Sequence, residues 1–490
     1  MAAADWQNGY KGLESQLSKK AFSGQIMRSL LAVLLSLFAT TLSANPFPST
    51  YQPLPSSPTL ITDATILTGD GQRLDDADLY IADGKIVWVG EGSIPAEGVT
   101  TINAAGKWLT PGLIDVHSHL GVYPSPGVSA HSDGNEATAP VTAEVWAEHS
   151  VWPQDPGFSR AIAGGITSLQ ILPGSANLFG GRSVTLKNVP QTTYQAMKFP
   201  GAPYGLKMAC GENPKRVYGG RNQAPSTRMG NVAAYRASWI KAQRYIQDWE
   251  QYEQKMAKQS PNTEGDSNSA LAAALIKPPK RDLELETLAG VLKGDIILHM
   301  HCYRADEMIT ILDMADEFNY KMGTFHHGVE AYKIADELAE NNVCGALWAD
   351  WWGFKMEAYD GIQENIALVD RPDNGCAIVH SDSEEGIQRL NQEAAKAMSK
   401  GQAAGLDIPP ERAIRWITSN AAKSLGVHDQ TGTLSPGKMA DVVIWNQNPL
   451  SVYAKAEQVF IDGALVFDRD DKALQPVSDF ELGQLLEVAP

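Results

Sequence analysis

From residue 111 to 428 the chain alternates short apolar runs with stretches of helical periodicity, and no other feature restricts its fold so strongly. Leu113–Val116, Ile166–Leu172, Tyr204–Cys210, Asp295–His301, Lys321–His327, Val343–Trp348 and Cys376–His380 read as strands. Phe158–Ala163, Ala305–Phe318, Glu330–Glu340, Gly361–Val369, Glu384–Lys400 and Pro410–Leu425 read as helices. Parallel strands need long crossovers, which intervening helices supply. About eight strands in that length predict a parallel, closed (β/α)8 barrel of the TIM type.

The flanks differ. Residues 59–110 and 429–475 are rich in strand patterns joined by tight-turn dipeptides, Asp83-Gly84 and Asp462-Gly463. Together they predict one small β-sandwich domain, built from both chain ends and bracketing the barrel at 111–428. An insertion at about 213–290 holds a long polar helix, Ala233–Lys258, and a loop-like stretch, Ser260–Ser269. Residues 45–58 form a Pro-rich linker and 476–490 a C-terminal tail.

A hydrophobic share of 43% with 20% charged residues marks a globular chain. Its formal charge of −17 argues against nucleic acid or anionic membrane as a principal partner. Residues 1–44 read as an extension carrying a signal peptide: Met27-Arg28, apolar Ser29–Thr40, then a small-residue cleavage site at Leu42-Ser-Ala44. That apolar run is too short to span a bilayer, so no stable membrane anchor is expected. The mature chain is expected to begin near Asn45, in the periplasm or outside the cell. The four cysteines, Cys210, Cys302, Cys344 and Cys376, lie far apart without a CxxC pair. Three sit in apolar runs, which reads as buried free thiols.

The strand ends carry the chemistry. His117 and His119 have the same parity, so both rings leave one side of a strand. Other runs end in His299-Met-His301, His326-His327 and His380-Ser-Asp382. Seven of the ten histidines therefore fall at four strand ends, which a barrel gathers at one mouth. Neutral imidazoles with carboxylates suit zinc or a similar divalent ion. Such an ion lowers the pKa of a coordinated water from about 15.7 to about 7.

Three segments resemble motifs of the amidohydrolase superfamily, in its imidazolonepropionase-like or prolidase-like branch. They are Thr110-Pro-Gly-Leu-Ile-Asp-Val-His-Ser-His119, His301-Cys-Tyr-Arg-Ala-Asp306 and Gly432-Thr-Leu-Ser-Pro-Gly-Lys-Met-Ala-Asp441. The likeness covers about residues 59–470 and implies one or two divalent ions, zinc by expectation. Carried over residue by residue, it makes His117, His119, His301, His327 and Asp382 metal ligands. Asp382 is also the implied catalytic group, taking a proton from water and passing it to the leaving nitrogen. Relatives bridge at strand four with a carboxylated lysine or a glutamate. Lys207 has the inward parity and Glu212 sits at the mouth; Glu212 is preferred by a narrow margin. His299 is then a neighbour inside the barrel.

Substrate determinants are weaker signals. Pro173–Arg182 is a Gly-rich loop without the lysine–hydroxyl pair of a phosphate-binding loop. Arg182, Arg228 and Arg304 form a candidate carboxylate clamp, Tyr303 a hydrogen-bonding group, and Trp351-Trp352 a pocket wall. The expected reaction is hydrolysis of a C–N bond in a small molecule: a dipeptide, an N-acyl amino acid, or an imidazolone- or hydantoin-like ring. Two alternatives stand beside it. One is deamination on the same metal frame, for which the helper Glu and His are not identified. The other is an inactive binding or assembly protein, against which the complete ligand set speaks. The resemblance also implies frequent association into homo-oligomers.

Overall fold

The computed structural model describes residues 46–92, 98–258 and 275–475. The extension and signal segment 1–44, the stretch Ser260–Ser269 and the tail 476–490 lie outside the described residues. The described residues from Ser49 to Gln475 form one compact unit. Among the described residues no helix is long and apolar enough to cross a membrane.

Both chain ends contribute to one sheet. Its strands are β1 (Thr59–Leu67), β2 (Arg73–Ala82), β3 (Lys85–Glu91), β4 (Thr100–Asn103) and β5 (Trp108–Pro111), then, after the barrel, strands from the far end. The barrel strands are β6 (Leu113–Ser118), β7 (Ile166–Ile171), β8 (Phe179–Lys187), β9 (Gly205–Ala209), β10 (Ile297–His301), β11 (Met322–His326), β12 (Cys344–Leu347) and β13 (Ala377–Val379). The returning strands are β14 (Val442–Trp445), β15 (Ala456–Ile461) and β16 (Ala464–Asp468), and β14 pairs antiparallel with β5. Asp83 and Gly84, like Asp462 and Gly463, all have positive φ, as two-residue hairpin turns require. The expected two-layer sandwich is instead one hydrogen-bonded sheet in the order β16-β15-β14-β5-β1-β2-β3, with β4 branching from β1. Ile86 on β3 and Phe460 on β15 share one buried cluster with Ile61 and Val442, so the sheet wraps its own core.

The barrel runs β6 to β13 in chain order, but it is not wholly parallel. β8 is antiparallel to both β7 and β9. Part of the expected Gly-rich loop, Phe179–Arg182, is the start of this strand. Only the short segment 172–178 connects β7 to β8, too short for a crossover helix, so β8 must run back. Outside it, the helix Arg228–Lys258 runs 31 residues and buries mainly Tyr235, Ser238, Trp239 and Ala242 on one stripe. Trp239 meets Phe179 of β8 edge-on at 5.3 Å.

The remaining helices match the sequence pattern in part. Ala305–Phe318 is helical as expected and ends at Asn319 in the left-handed region. The stretch 410–425 is three short pieces, Pro410–Ala413, Ile414–Ile417 and Ser419–Ser424, rather than one helix.

The free-thiol expectation fails: Cys210 pairs with Cys302, and Cys344 with Cys376. Register explains it. Ala209 of β9 lies opposite His301 of β10, so the next residues, both cysteines, face each other with Cα atoms 5.2 Å apart. Gly345 lies opposite Ala377, and the cysteines just before them meet at 4.6 Å. Barrel and sheet are joined by a buried charge cluster, in which Lys187 Nζ lies 2.8 Å from Asp441 and 3.2 Å from Asp462.

Candidate active site

The C-terminal ends of β6, β9, β10, β11 and β13 converge on a cavity of about 700 Å³. His119 Nε2 lies 3.2 Å and His117 Nε2 3.4 Å from the same oxygen of Asp382. His327 Nε2 lies 3.7 Å from the other oxygen. Ligand atoms of His117, His119 and Asp382 all fall within 4.8 Å of one another, as do those of His117, His327 and His380. His327 and Asp382 adopt positive φ, +59° and +50°. That region is uncommon for non-glycine residues but Asp and His enter it more readily than most, and here both side chains line the cavity.

Each of three candidate ligand rings is held by its other nitrogen, the arrangement that orients metal-binding histidines. His119 Nδ1 bonds the carbonyl of Leu172 at 2.9 Å. His117 Nδ1 meets His326 Nδ1 at 2.8 Å, and His327 Nδ1 meets His380 Nε2 at 3.1 Å. Burial, reinforced by the Lys207 charge, holds His117 and His301 well below the usual imidazole range, so both stay neutral and can ligate. Burial alone would raise the Asp382 carboxyl, but the bond to His119 and nearby positive charge outweigh it and keep the group ionised. These donors fit a divalent ion of the imidazole-preferring kind.

At strand four the structure brings Lys207 to the cavity rather than the preferred Glu212. Lys207 lies on the cavity wall, its Nζ 3.5 Å from His117 Nε2 and 3.1 Å from the Pro173 carbonyl. Burial lowers it to about 8. Glu212 instead begins the helix Glu212–Gly219, with its carboxylate 3.6 Å from Lys355, and is not among the residues lining the cavity. Residue 212 lies three past the end of β9, beyond the turn at Gly211, whereas Lys207 is inside the strand.

The arginine clamp does not form. Arg182 stacks on Trp146 at 4.1 Å and donates to Thr287. Arg228 pairs with Glu307 and Glu357, and Arg304 with Asp306. The antiparallel course of β8 accounts for Arg182, which faces the helix Leu283–Lys293 bearing Thr287. Tyr303, Trp351 and Trp352 do line the cavity. His301 lines it too, with Nε2 3.3 Å from Asn213 Nδ2.

Several lining residues carried no sequence signal: Tyr123, Asn213, Trp348 and Phe354. Behind this lining Lys355 packs on two of its members, its ammonium 4.5 Å over the Tyr303 ring and 2.9 Å from Asn213 Oδ1. An Asn in the first turn of a short helix, or a Trp in a loop, has no periodicity to mark it. Only the position of Asn213 just past strand four could have drawn attention.

The description "Amidohydrolase family" matches residues 373–467. The crystal structure of an amidohydrolase from Thermotoga maritima MSB8 superposes with a TM-score of 0.73 at 34% identity, covering 84% of this chain and 100% of that one. Amidohydrolase tasK of Hapsidospora irregularis is 30% identical over 445 residues, 84% of this chain. The match spans only 43% of that relative's own length. An imidazolonepropionase of Maricaulis maris (strain MCS10) is 24% identical over 394 residues, 78% of this chain and 90% of the relative.

Proposed function

This chain belongs to the amidohydrolase family, hydrolases of carbon–nitrogen bonds, and we propose that it cleaves an amide of a small molecule bearing an apolar or aromatic group. The observation that carries the reading is the meeting of His117, His119 and Asp382 at the floor of an aromatic-lined cavity. These three would hold one divalent ion, zinc by expectation; a second would need Lys207 in carboxylated form together with His301 and His327. Such an ion supplies Lewis-acid activation of water and of the scissile carbonyl.

The residues of the chain do the rest. Asp382, ionised and bonded to His119, takes the proton of the attacking water and delivers it to the departing nitrogen. Trp348, Trp351 and Phe354 offer stacking surface to the substrate's apolar end. Lys355, which packs on Tyr303 and bonds Asn213, is proposed for the carboxylate-binding role that the three arginines leave open, in exchange for its pair with Glu212. Dipeptides and N-acyl amino acids with a bulky side chain suit this lining better than a small ring. The two disulfides support placing the enzyme in an oxidising compartment, the periplasm or outside the cell.

The test is a screen of dipeptides, N-acyl amino acids and cyclic amides with zinc-loaded protein and an Asp382→Asn control. Turnover of apolar amides, reduced about 10²–10⁴-fold in the variant, is expected. Ammonia release from aminopurines without amide cleavage would move the reading to deamination.

A further inference from the structure

Behind the candidate ligands, a file of polar side chains runs down the barrel interior. His117 Nδ1 meets His326 Nδ1 at 2.8 Å, His326 Nε2 meets His299 Nδ1 at 3.0 Å, and His299 Nε2 meets Gln170 Nε2 at 3.1 Å. Gln170 in turn bonds Ser183 Oγ at 2.9 Å. His299, His326 and Ser183 are fully enclosed, so the file ends blindly and offers protons no exit. The backbone is shaped around it. A Cβ on Gly205 would stand 2.2 Å from Ser183 Oγ, 2.6 Å from the His299 ring and 3.0 Å from Gln170 Nε2, so only glycine leaves room.

A neutral imidazole has one N–H and one lone pair, so neutral rings in series must all point their protons the same way. None of the bonds along the file involves a carboxylate, and both His299 and His326 are fully enclosed. Two arrangements follow. If Gln170 donates to His299, then His299 donates to His326 and His326 to His117. His117 then keeps its own proton on Nε2, where an ion would have to bind. If Gln170 presents its oxygen, every proton reverses: His117 donates from Nδ1 and its Nε2 lone pair is free. A half-turn of one amide separates the two. Gln170 Oε1 is buried without a partner among the described residues, so the turn breaks no bond of that oxygen. Ser183 can serve the turned amide as a donor through its hydroxyl.

We propose that Gln170, His299 and His326 form a proton-ordered relay that fixes the tautomer of His117, so that groups touching neither ion nor substrate set the ion affinity of the site. The relay rests on the amidohydrolase reading only in taking His117 as a ligand through Nε2. His326, His299 and Gln170 are positioning residues, and the amide of Gln170 is the switch.

The test uses full-length protein labelled with ¹⁵N-histidine, with tautomers read from two-bond ¹H–¹⁵N ring spectra during zinc titration, and zinc affinity from chelator competition. Expected first is a common proton sense along His117, His326 and His299 before any zinc is added. Zinc should then leave N–H protons on His117 Nδ1, His326 Nε2 and His299 Nε2. His326→Leu should weaken zinc binding about 10–100-fold, while His326→Asn, which retains an acceptor for His117 Nδ1, restores it to within a few-fold. Should the leucine variant not fold, Gln170→Leu at the far end carries the same prediction, and Gln170→Glu, an acceptor only, should hold wild-type affinity. Mixed proton senses along the file, or zinc binding at His117 unchanged in both leucine variants, overturns the relay. Zinc that leaves the His117 resonances unmoved overturns the ion-site reading itself, a result distinct from relay failure.

Discussion

The backbone N–H of Asp382 donates to the carbonyl of His117 at 3.0 Å, and this one bond ties two candidate ligands together while closing the barrel. β13 and β6 share no ladder, so the seam depends on such contacts. The buried Asp115 carboxylate reinforces it, accepting from the backbone N–H groups of His117 at 3.1 Å and Ser381 at 3.2 Å and from the Ser381 hydroxyl.

Asp115 is therefore replaceable by an acceptor but not by a methyl. Asp115→Asn should retain most stability, because an amide oxygen can take both N–H bonds. Asp115→Ala leaves two enclosed donors unpaired and should cost about 2–5 kcal/mol. Urea unfolding of the two variants decides; equal losses would remove the seam role.

Lys207 and Glu212 should behave oppositely. Lys207→Met removes the amine 3.5 Å from His117 and should lower zinc retention and kcat roughly 10–100-fold or more. Glu212→Gln only loosens a partly exposed pair with Lys355 and should stay within about fivefold of the parent. Elemental analysis with steady-state kinetics on both variants checks the contrast.

Acid should unfold this protein steeply. Burial depresses six histidines, His117, His299, His301, His326, His327 and His380, with His299 and His380 down to about 3. In the unfolded chain they titrate near ~6.5. Below that pH the unfolded state binds protons the folded state refuses. Stability is thus full above about pH 6.5 and falls towards pH 3, by up to about 1.4 kcal/mol per pH unit for each group. Asp115, raised by burial to about 6, acts in the opposite sense between its unfolded and folded values and offsets one histidine. Urea midpoints between pH 7.5 and 5 should fall with an uptake of about five protons per molecule at the acid end. A flat profile contradicts the neutral, enclosed histidine cluster.

Both cystines should be measurable as stability. Unreduced, denatured protein should show no reactive thiol. Paired Cys→Ala replacement at either bridge should cost about 2–5 kcal/mol. Cys210–Cys302 spans 92 residues against 32 for Cys344–Cys376, so loop entropy makes its loss the larger by about 1 kcal/mol. Thermal melts of the two double variants give the order.

Where the candidate site residues sit was largely legible in the sequence. Strand periodicity placed His117, His119, His301, His327 and Asp382 at strand ends, because alternation is a local property that the chain displays residue by residue. The same reasoning misassigned Phe179–Arg182, since glycines leave no alternation to read and the direction of a strand depends on the length of its connection.

The sequence by itself determined a barrel of alternating strands and helices with histidines at its mouth. The tertiary structure alone decided which side chains meet there. Lys207 reached His117, while Glu212 paired with Lys355. The arginines were drawn to Trp146 and to carboxylates, the cysteines fell opposite one another, and His299 and His326 joined one file. Each outcome depends on register between strands distant in sequence and on closure of the seam at Asp115. A local pattern specifies the face a residue occupies; only packing specifies the neighbour it finds.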